Sequence, residues 1–546
     1  FGSRSRAMIN LRLPSAVSRW SGDSSGDGGL ASLGSCCWCR GRDEDGEEEK
    51  KPLWQGSTPR QQGAAVSRTN MMIKHKTSQD LRDSYELEEK VLGAGAFGTV
   101  RKGRLKDAMH IVRAVKEVRK VSLKTETQVR KEIAVLRDLD HPCICRLMET
   151  YEDSKSIYLV LEYIDGRELF DEIEEDVRNG VVFDERRAAD IMKQVFGVLQ
   201  YCHGRSVIHR DLKPENIMVL RSTASSESKT PEIKIIDFGL AVLCRNKSGG
   251  YSSPNVVGTP AYIAPEAEEG RSCEASDLWS VGVILFVLLL GRFPEAPVQV
   301  GDNAAEAAAD PDWEKGFGTV SALAGDLLRG LLRRNSLQRF TAAEASAHAW
   351  TRGDHADSCA VASMGLAALS SFSSFHRSEK LKRAALTAMA TQLSGQQVQE
   401  LRTQFSQIDT DGNGMISRAE LLQAVQAAPP KGVLDVEAWV DDIFDAADTD
   451  GSGEITITEW EAGALQSLEC MSDECIRAAF RVFDADGDGS ISQEELQRIC
   501  DLAPEEMGNF DLNGDGVLDF EEFKAMLITP RDLSPNQPEK PALVAF

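Results

Sequence analysis

Near its C-terminal end the chain carries one twelve-residue pattern four times, starting at Asp409, Asp448, Asp484 and Asp511. Each window has oxygen-bearing side chains at positions 1, 3 and 5, glycine at position 6 and glutamate at position 12. That spacing suits a hard cation. About six to eight oxygens must converge, position 7 contributes a backbone carbonyl, the closing glutamate contributes two atoms, and glycine allows the sharp turn between them. The expected calcium ligands are Asp409, Asp411, Asn413, Met415 and Glu420 in the first loop, and Asp448, Asp450, Ser452, Glu454 and Glu459 in the second. The third offers Asp484, Asp486, Asp488, Ser490 and Glu495, and the fourth Asp511, Asn513, Asp515, Val517 and Glu522. An apolar residue follows position 7 each time (Ile416, Ile455, Ile491, Leu518), placed to form a short ladder between paired loops. Two lobes of paired helix–loop–helix units are expected. The last two loops start only 27 residues apart, so the helix entering the fourth, roughly 505–510, must be short.

The charge distribution supports this reading. Residues 401–530 hold 29 acidic and 7 basic side chains, leaving −22 of the net −24 of all 546 residues in that quarter. The rest is close to neutral, which disfavours general nucleic-acid binding and favours a local cluster of oxygen ligands. The longest apolar run, Val281 to Leu290, has the length of a buried core helix rather than a membrane span. The twelve cysteines are scattered except for Cys36, Cys37 and Cys39. With no secretory signal visible, reduced thiols in a cytoplasmic setting are expected.

Upstream, a second set of residues carries chemistry. Gly93-Ala94-Gly95-Ala96-Phe97-Gly98 follows a strand pattern and is followed by another strand rather than a helix. Alone it is a weak signal. It precedes Ala114-Val115-Lys116, Glu132 on a helical pattern, His209-Arg210-Asp211-Leu212-Lys213-Pro214-Glu215-Asn216, Asp237-Phe238-Gly239, Ala264-Pro265-Glu266 and Asp277-Leu278-Trp279. In order, type and separation this series resembles a protein kinase. The resemblance implies that Leu92, Gly93, Ala94, Gly95, Ala96, Phe97, Gly98, Val100, Lys116 and Glu162 surround ATP. Lys116 would hold phosphates and pair with Glu132, and Asn216 and Asp237 would hold magnesium. Asp211 would take the proton of the attacking hydroxyl and Lys213 would neutralise the transferring group. The run Asp211 to Asn216, with Gly258-Thr259-Pro260, is similar to serine/threonine kinases. Leu161 falls at the gatekeeper position. Glu168 matches an acidic position that favours arginine upstream of the target hydroxyl, although Arg167 stands where relatives have glycine. Arg210 either pairs with a phosphate on Ser252, Ser253 or Thr259, or braces that loop.

A kinase followed in one chain by four such loops resembles the calcium-dependent protein kinases of plants and protists. The resemblance implies an α+β fold: a bilobal protein kinase fold followed by an all-α, calmodulin-like domain of four EF-hands. Its divisions are a disordered segment 1–84, a kinase domain 85–350 (small lobe about 85–162, large lobe 163–350), a linker and autoinhibitory junction 351–395, the calcium domain 396–528 and a tail 529–546. The junction 375–386 carries Lys380, Lys382 and Arg383 beside the apolar face of Leu381, Ala385, Leu386 and Met389. It would block the kinase at low calcium and be released when the acidic domain fills. The implied activity is calcium-activated transfer of the ATP γ-phosphoryl group to serine or threonine in proteins, near basic residues. Alternatives are a constitutive kinase and a non-catalytic calcium-responsive scaffold. Membrane association is expected only through lipidation of Cys36, Cys37 or Cys39.

Overall fold

The computed structural model describes residues 74–76, 81–95, 98–181, 183–221, 231–244, 251–252, 256–294, 319–353, 380–392, 396–427, 435–465, 473–500 and 507–528. Cys36, Cys37, Cys39, Ala96, Phe97, Ser253 and the acidic stretch 295–315 lie outside them.

Six strands build one sheet: β1 (Lys74–Lys76), β2 (Tyr85–Gly95), β3 (Gly98–Leu105), β4 (Ala108–Arg119), β5 (Leu147–Glu152) and β6 (Ser156–Glu162), with β-branched residues concentrated in the central β4. Its order is β1-β5-β6-β4-β3-β2, antiparallel except that β1 runs parallel to β5. The expectation of disorder up to residue 84 is corrected here. Lys74–Lys76 pairs with Glu149–Tyr151, and the turn Leu81–Ser84 buries Leu81 under the sheet. An open strand edge accepts a short segment through backbone hydrogen bonds alone, so no hydrophobic period announces it. Helix α1 (Leu123–Asp138) lies between β4 and β5 in sequence. The Ser122 hydroxyl accepts the Thr125 N–H and caps its start.

The large lobe is helical, with α2 (Leu169–Arg178), α3 (Glu185–Gly204) and α4 (Glu274–Leu290) among its elements. The apolar run of α4 is buried on every side, as expected of a core helix. Among the described residues no helix is long and apolar enough to cross a membrane.

Helix α5 (Lys380–Gln392) is the junction. The calcium domain follows: α6 (Gln396–Ile408), β7 (Met415–Ser417), α7 (Arg418–Ala427), α8 (Val436–Ala447), β8 (Glu454–Thr456), α9 (Ile457–Ala464), α10 (Asp473–Phe483), β9 (Ile491–Ser492), α11 (Gln493–Cys500), β10 (Val517–Leu518) and α12 (Phe520–Ile528). The loops pair as expected, with Ile416 opposite Ile455 and Ile491 opposite Leu518. Before the fourth loop the described residues show a helical residue at Met507 followed by a turn at 508–510, with Met507 and Phe510 buried.

In the large lobe, a Cβ added at Gly330, in the helix Ala322–Leu331, would overlap the ring of Phe340. Gly330→Ala should therefore lower the kinase domain's unfolding temperature. The overpacking, about 1–3 kcal/mol, outweighs a helix-propensity gain of about 1 kcal/mol. Thermal unfolding with and without nucleotide checks this.

Candidate active site and calcium loops

The cleft residues arrive from separate elements and meet. Lys116 on β4 donates to Glu132 on α1 at 2.7 Å and lies 3.5 Å from Asp237. Burial alone would lower the Lys116 pKa, but the carboxylates of Glu132 and Asp237 outweigh it and hold it above the ordinary lysine value. Asp237 also accepts the Gly239 N–H at 3.0 Å. In the turn from β2 to β3, Gly98 has φ +136°, and a Cβ there would overlap the Glu117 carbonyl, so the close approach of two strands requires glycine.

Asp211 is held from three sides. Lys213 donates to one carboxylate oxygen at 2.9 Å, the Thr259 hydroxyl donates to the other at 2.7 Å, and Lys213 also reaches Thr259 at 3.0 Å. Asn216 donates to the Asp211 backbone carbonyl at 2.8 Å. Beneath them, buried Asp277 accepts the His209 and Arg210 N–H groups, both at 2.9 Å. This anchors Arg210 at φ +67°, a left-handed conformation that a non-glycine residue adopts at a cost of about 1–3 kcal/mol. That turn aims Asp211 into the cleft. Sequence alone assigns Asp277 no role; its place in the first turn of α4, just before the apolar run Val281–Leu290, is the available signal.

Two readings change. Thr259 is poorly suited to carry a phosphate, because its hydroxyl is committed to Asp211 and a phosphate there would face that carboxylate. For Arg210, its Nε donates to the Leu240 carbonyl at 2.7 Å, which favours the bracing role. Arg167 pairs with Glu175 at 2.7 Å.

Glu162 ends β6 at the crossing between lobes, but its side chain does not serve a nucleotide. One carboxylate oxygen accepts from Lys234 at 2.7 Å and the other from Arg402, on α6, at 3.2 Å. Burial would raise its pKa, yet Lys234, Arg402 and Arg146 hold it well below the carboxylate range. The chain of charges continues: Arg402 donates to Glu461 at 3.1 Å, Arg146 to Glu461 at 3.3 Å, and Arg146 pairs with Asp140 at 3.5 Å. Thr458 donates to Asp140 at 3.0 Å. Three cations and three carboxylates, all buried or nearly so, thus tie the calcium domain to the junction of the kinase lobes.

The junction helix is not in the cleft. Leu381, Ala385, Leu386 and Met389 sit in the core of the C-terminal EF-hand pair, packed with Phe480, Phe483, Phe523 and Leu527. Its C-terminal carbonyls are met by kinase arginines: Arg113 donates to Gln392 O at 2.8 Å, and Arg146 approaches Ala390 O at 3.5 Å. Cations at a helix C-terminus satisfy its unpaired carbonyls.

All four calcium loops are shaped alike. In each, one oxygen of the closing glutamate accepts the position-2 N–H, with Thr410, Thr449, Ala485 and Leu512 donating at 2.5–2.9 Å. The other accepts the position-9 N–H, with Ser417, Thr456, Ser492 and Asp519 donating at 2.9–3.0 Å. Carboxylate oxygens converge within 4.8 Å in the groups Asp409-Asp411-Glu420, Asp448-Asp450-Glu459 and Asp484-Asp486-Asp488. Burial, with Asp411 and Glu420 adding negative charge, pushes Asp409 up to about 8, as expected of ligands gathered for a cation. This all-oxygen donor set fits calcium.

Comparison with known proteins agrees with both halves. Residues 85–351 match the protein kinase domain, and residues 398–464 and 473–528 each match the EF-hand domain pair. Calcium-dependent protein kinase 5 of Plasmodium falciparum is 33% identical over 465 residues, covering 82% of this chain and 79% of the relative. Calcium-dependent protein kinase 3 of Plasmodium berghei is 35% identical over 465 residues, covering 82% and 81%. Calcium-dependent protein kinase 31 of Arabidopsis thaliana is 33% identical over 439 residues, covering 79% and 87%.

The buried charges make a stability prediction. Arg402→Met strands Glu162 and Glu461 with too few cations, and breaking such a set should cost about 3–5 kcal/mol. Adding Glu461→Gln should recover much of that, since an anion leaves with the cation. Denaturant unfolding of the full chain, read as a double-mutant cycle, checks the coupling.

Proposed function

This chain belongs to the calcium-dependent protein kinases, calcium-activated serine/threonine kinases that bind ATP and a divalent metal, and we propose that its junction helix is the element through which calcium controls the cleft. The observation that carries this reading is the burial of the helix's apolar face inside the C-terminal EF-hand pair. A helix enclosed there is not available to obstruct the substrate. At low calcium the same face would be released to occupy the cleft. Moving such an equilibrium from 1:99 to 99:1 takes about 5.5 kcal/mol, roughly a tenfold affinity difference per ion across four sites.

In the transfer, Asp211 accepts the proton of the serine or threonine hydroxyl as that oxygen bonds to the γ-phosphorus and the bond to the β-bridging oxygen breaks, releasing ADP. Thr259 and Lys213 hold the Asp211 carboxylate in line, and Lys213 offsets the negative charge of the group in flight. Lys116, fixed by Glu132, orients the nucleotide phosphates. Asn216 and Asp237 would hold magnesium, which supplies charge neutralisation at the phosphates. For substrates, Glu168 supports a preference for arginine upstream of the target, and the pairing of Arg167 with Glu175 leaves Arg167 engaged elsewhere.

Phosphorylation of an arginine-containing serine peptide, at saturating calcium and with chelator, tests the switch. Activity only with calcium is expected, with Asp211→Asn as the blank. Equal rates in both conditions would discard control by the junction. Thr259→Val should lower kcat by on the order of 100-fold through misplacement of Asp211, while Thr259→Ser retains the hydroxyl and most of the rate.

A further inference from the structure

The first calcium loop differs from the others in its surroundings. A side chain grown from Gly451, Gly453, Gly489, Gly514 or Gly516, glycines of the other three loops, would meet nothing within 4 Å. Gly414 of the first loop instead lies against the buried ring of His141, where a Cβ would overlap the imidazole. The Gly412 carbonyl is seated on α3 so closely that a Cβ at Gly197 would overlap it. Ser346 donates to the Asp411 carbonyl at 3.3 Å, and the Arg205 guanidinium lies 3.4 Å from the Met415 sulfur. Met415 itself packs against the large-lobe core. Loop positions 3, 4, 6 and 7 therefore rest on the kinase.

Gly197 identifies this contact as a built surface. Inside a twenty-residue helix a glycine costs about 1 kcal/mol relative to alanine, and α3 is helical there with no positive φ to require one. Gly414 is different: its φ of +80° calls for glycine wherever the loop lies. The nearest group to such a Cβ, the Gly412 carbonyl, accounts for Gly197.

We propose that the large-lobe surface around Gly197 is the seat of the first calcium loop, so that filling this loop and docking the calcium domain on the kinase are thermodynamically linked. Calcium would fix the same stretch that touches the kinase, because Asp411 and Met415, which would supply ligands at positions 3 and 7, themselves make the contact together with Gly412 and Gly414. The inference rests on the reading above, in which the docked arrangement is the one with the junction helix withdrawn. Linkage is reciprocal: docking must tighten calcium in this loop by the factor by which calcium favours docking, commonly about 5–150-fold.

The test uses the full chain carrying Gly197→Ala, with Gly204→Ala as control, since Gly204 is in the same helix and a Cβ there meets nothing within 4 Å. Peptide phosphorylation across graded calcium is read beside equilibrium calcium binding by chelator competition. For Gly197→Ala, an activation midpoint raised at least about fivefold is expected, with one binding step weakened by the same factor. Gly204→Ala should match the parent in both. Parent-like midpoint and binding in Gly197→Ala would overturn the proposal. If that variant loses its stabilisation by nucleotide and so is misfolded, Met415→Ala decides. It keeps the carbonyl ligand and deletes the kinase contact; a weakened step supports the linkage and an unchanged one overturns it. The binding arm needs no catalysis, so a parent that shows no calcium-stimulated activity sinks the functional reading and leaves this one to be judged separately.

Discussion

The arrangement of the two halves depends on six charges withdrawn from water where the kinase lobes meet. Lys234, Arg146, Glu162 and Asp140 come from the kinase, and Arg402 and Glu461 from the calcium domain. Each contribution is neutral by itself, with two cations and two carboxylates from the kinase and one of each from the calcium domain. Together they are satisfied only in one register, because any slip leaves a carboxylate or guanidinium buried without its partner. Such a set adds little net affinity over an apolar contact of equal area. Its physical effect is selectivity: the domain docks here or not at all.

Around that set, other contacts acquire their position. Arg113 and Arg146 meet the last carbonyls of the junction helix, the helix lies within the C-terminal EF-hand pair, and α10 of that pair places Ala478 in the small-lobe core beside Tyr85 and Ile111. The calcium domain thereby touches both lobes, with its first loop on the large lobe and its third hand on the small one. The cleft between them has the Lys116–Glu132 pair closed and Asp211 braced by Thr259 and Lys213.

Much of this was readable from local spacing. The oxygen ligands of each calcium loop lie within twelve residues, and the hydrogen bonds that shape the loops span no more than ten, so the pattern carries its own geometry. The kinase motifs likewise announce their elements, and α4 declares its burial through ten consecutive apolar residues. Where the reading failed, the missing information was non-local. The strand Lys74–Lys76 exists only because β5 offers an edge. No local pattern shows that Arg402, 240 positions away, takes one carboxylate oxygen of Glu162. Thr259 looked like a phosphorylation site until Asp211, 48 positions away, claimed its hydroxyl.

The amino-acid sequence by itself determined the chemistry: which side chains could bind calcium, carry a proton or hold a phosphate, since these are properties of residue type and short spacing. Tertiary structure alone decided how they are used. It set which carboxylates are already spoken for, where the junction helix lies, and why α3 has a glycine at 197. The physical reason is that helix and loop geometry repeats over a few residues and leaves a period in the sequence. A buried ion pair or a carbonyl seated on a distant helix, such as Thr458 on Asp140 across 318 positions, leaves none.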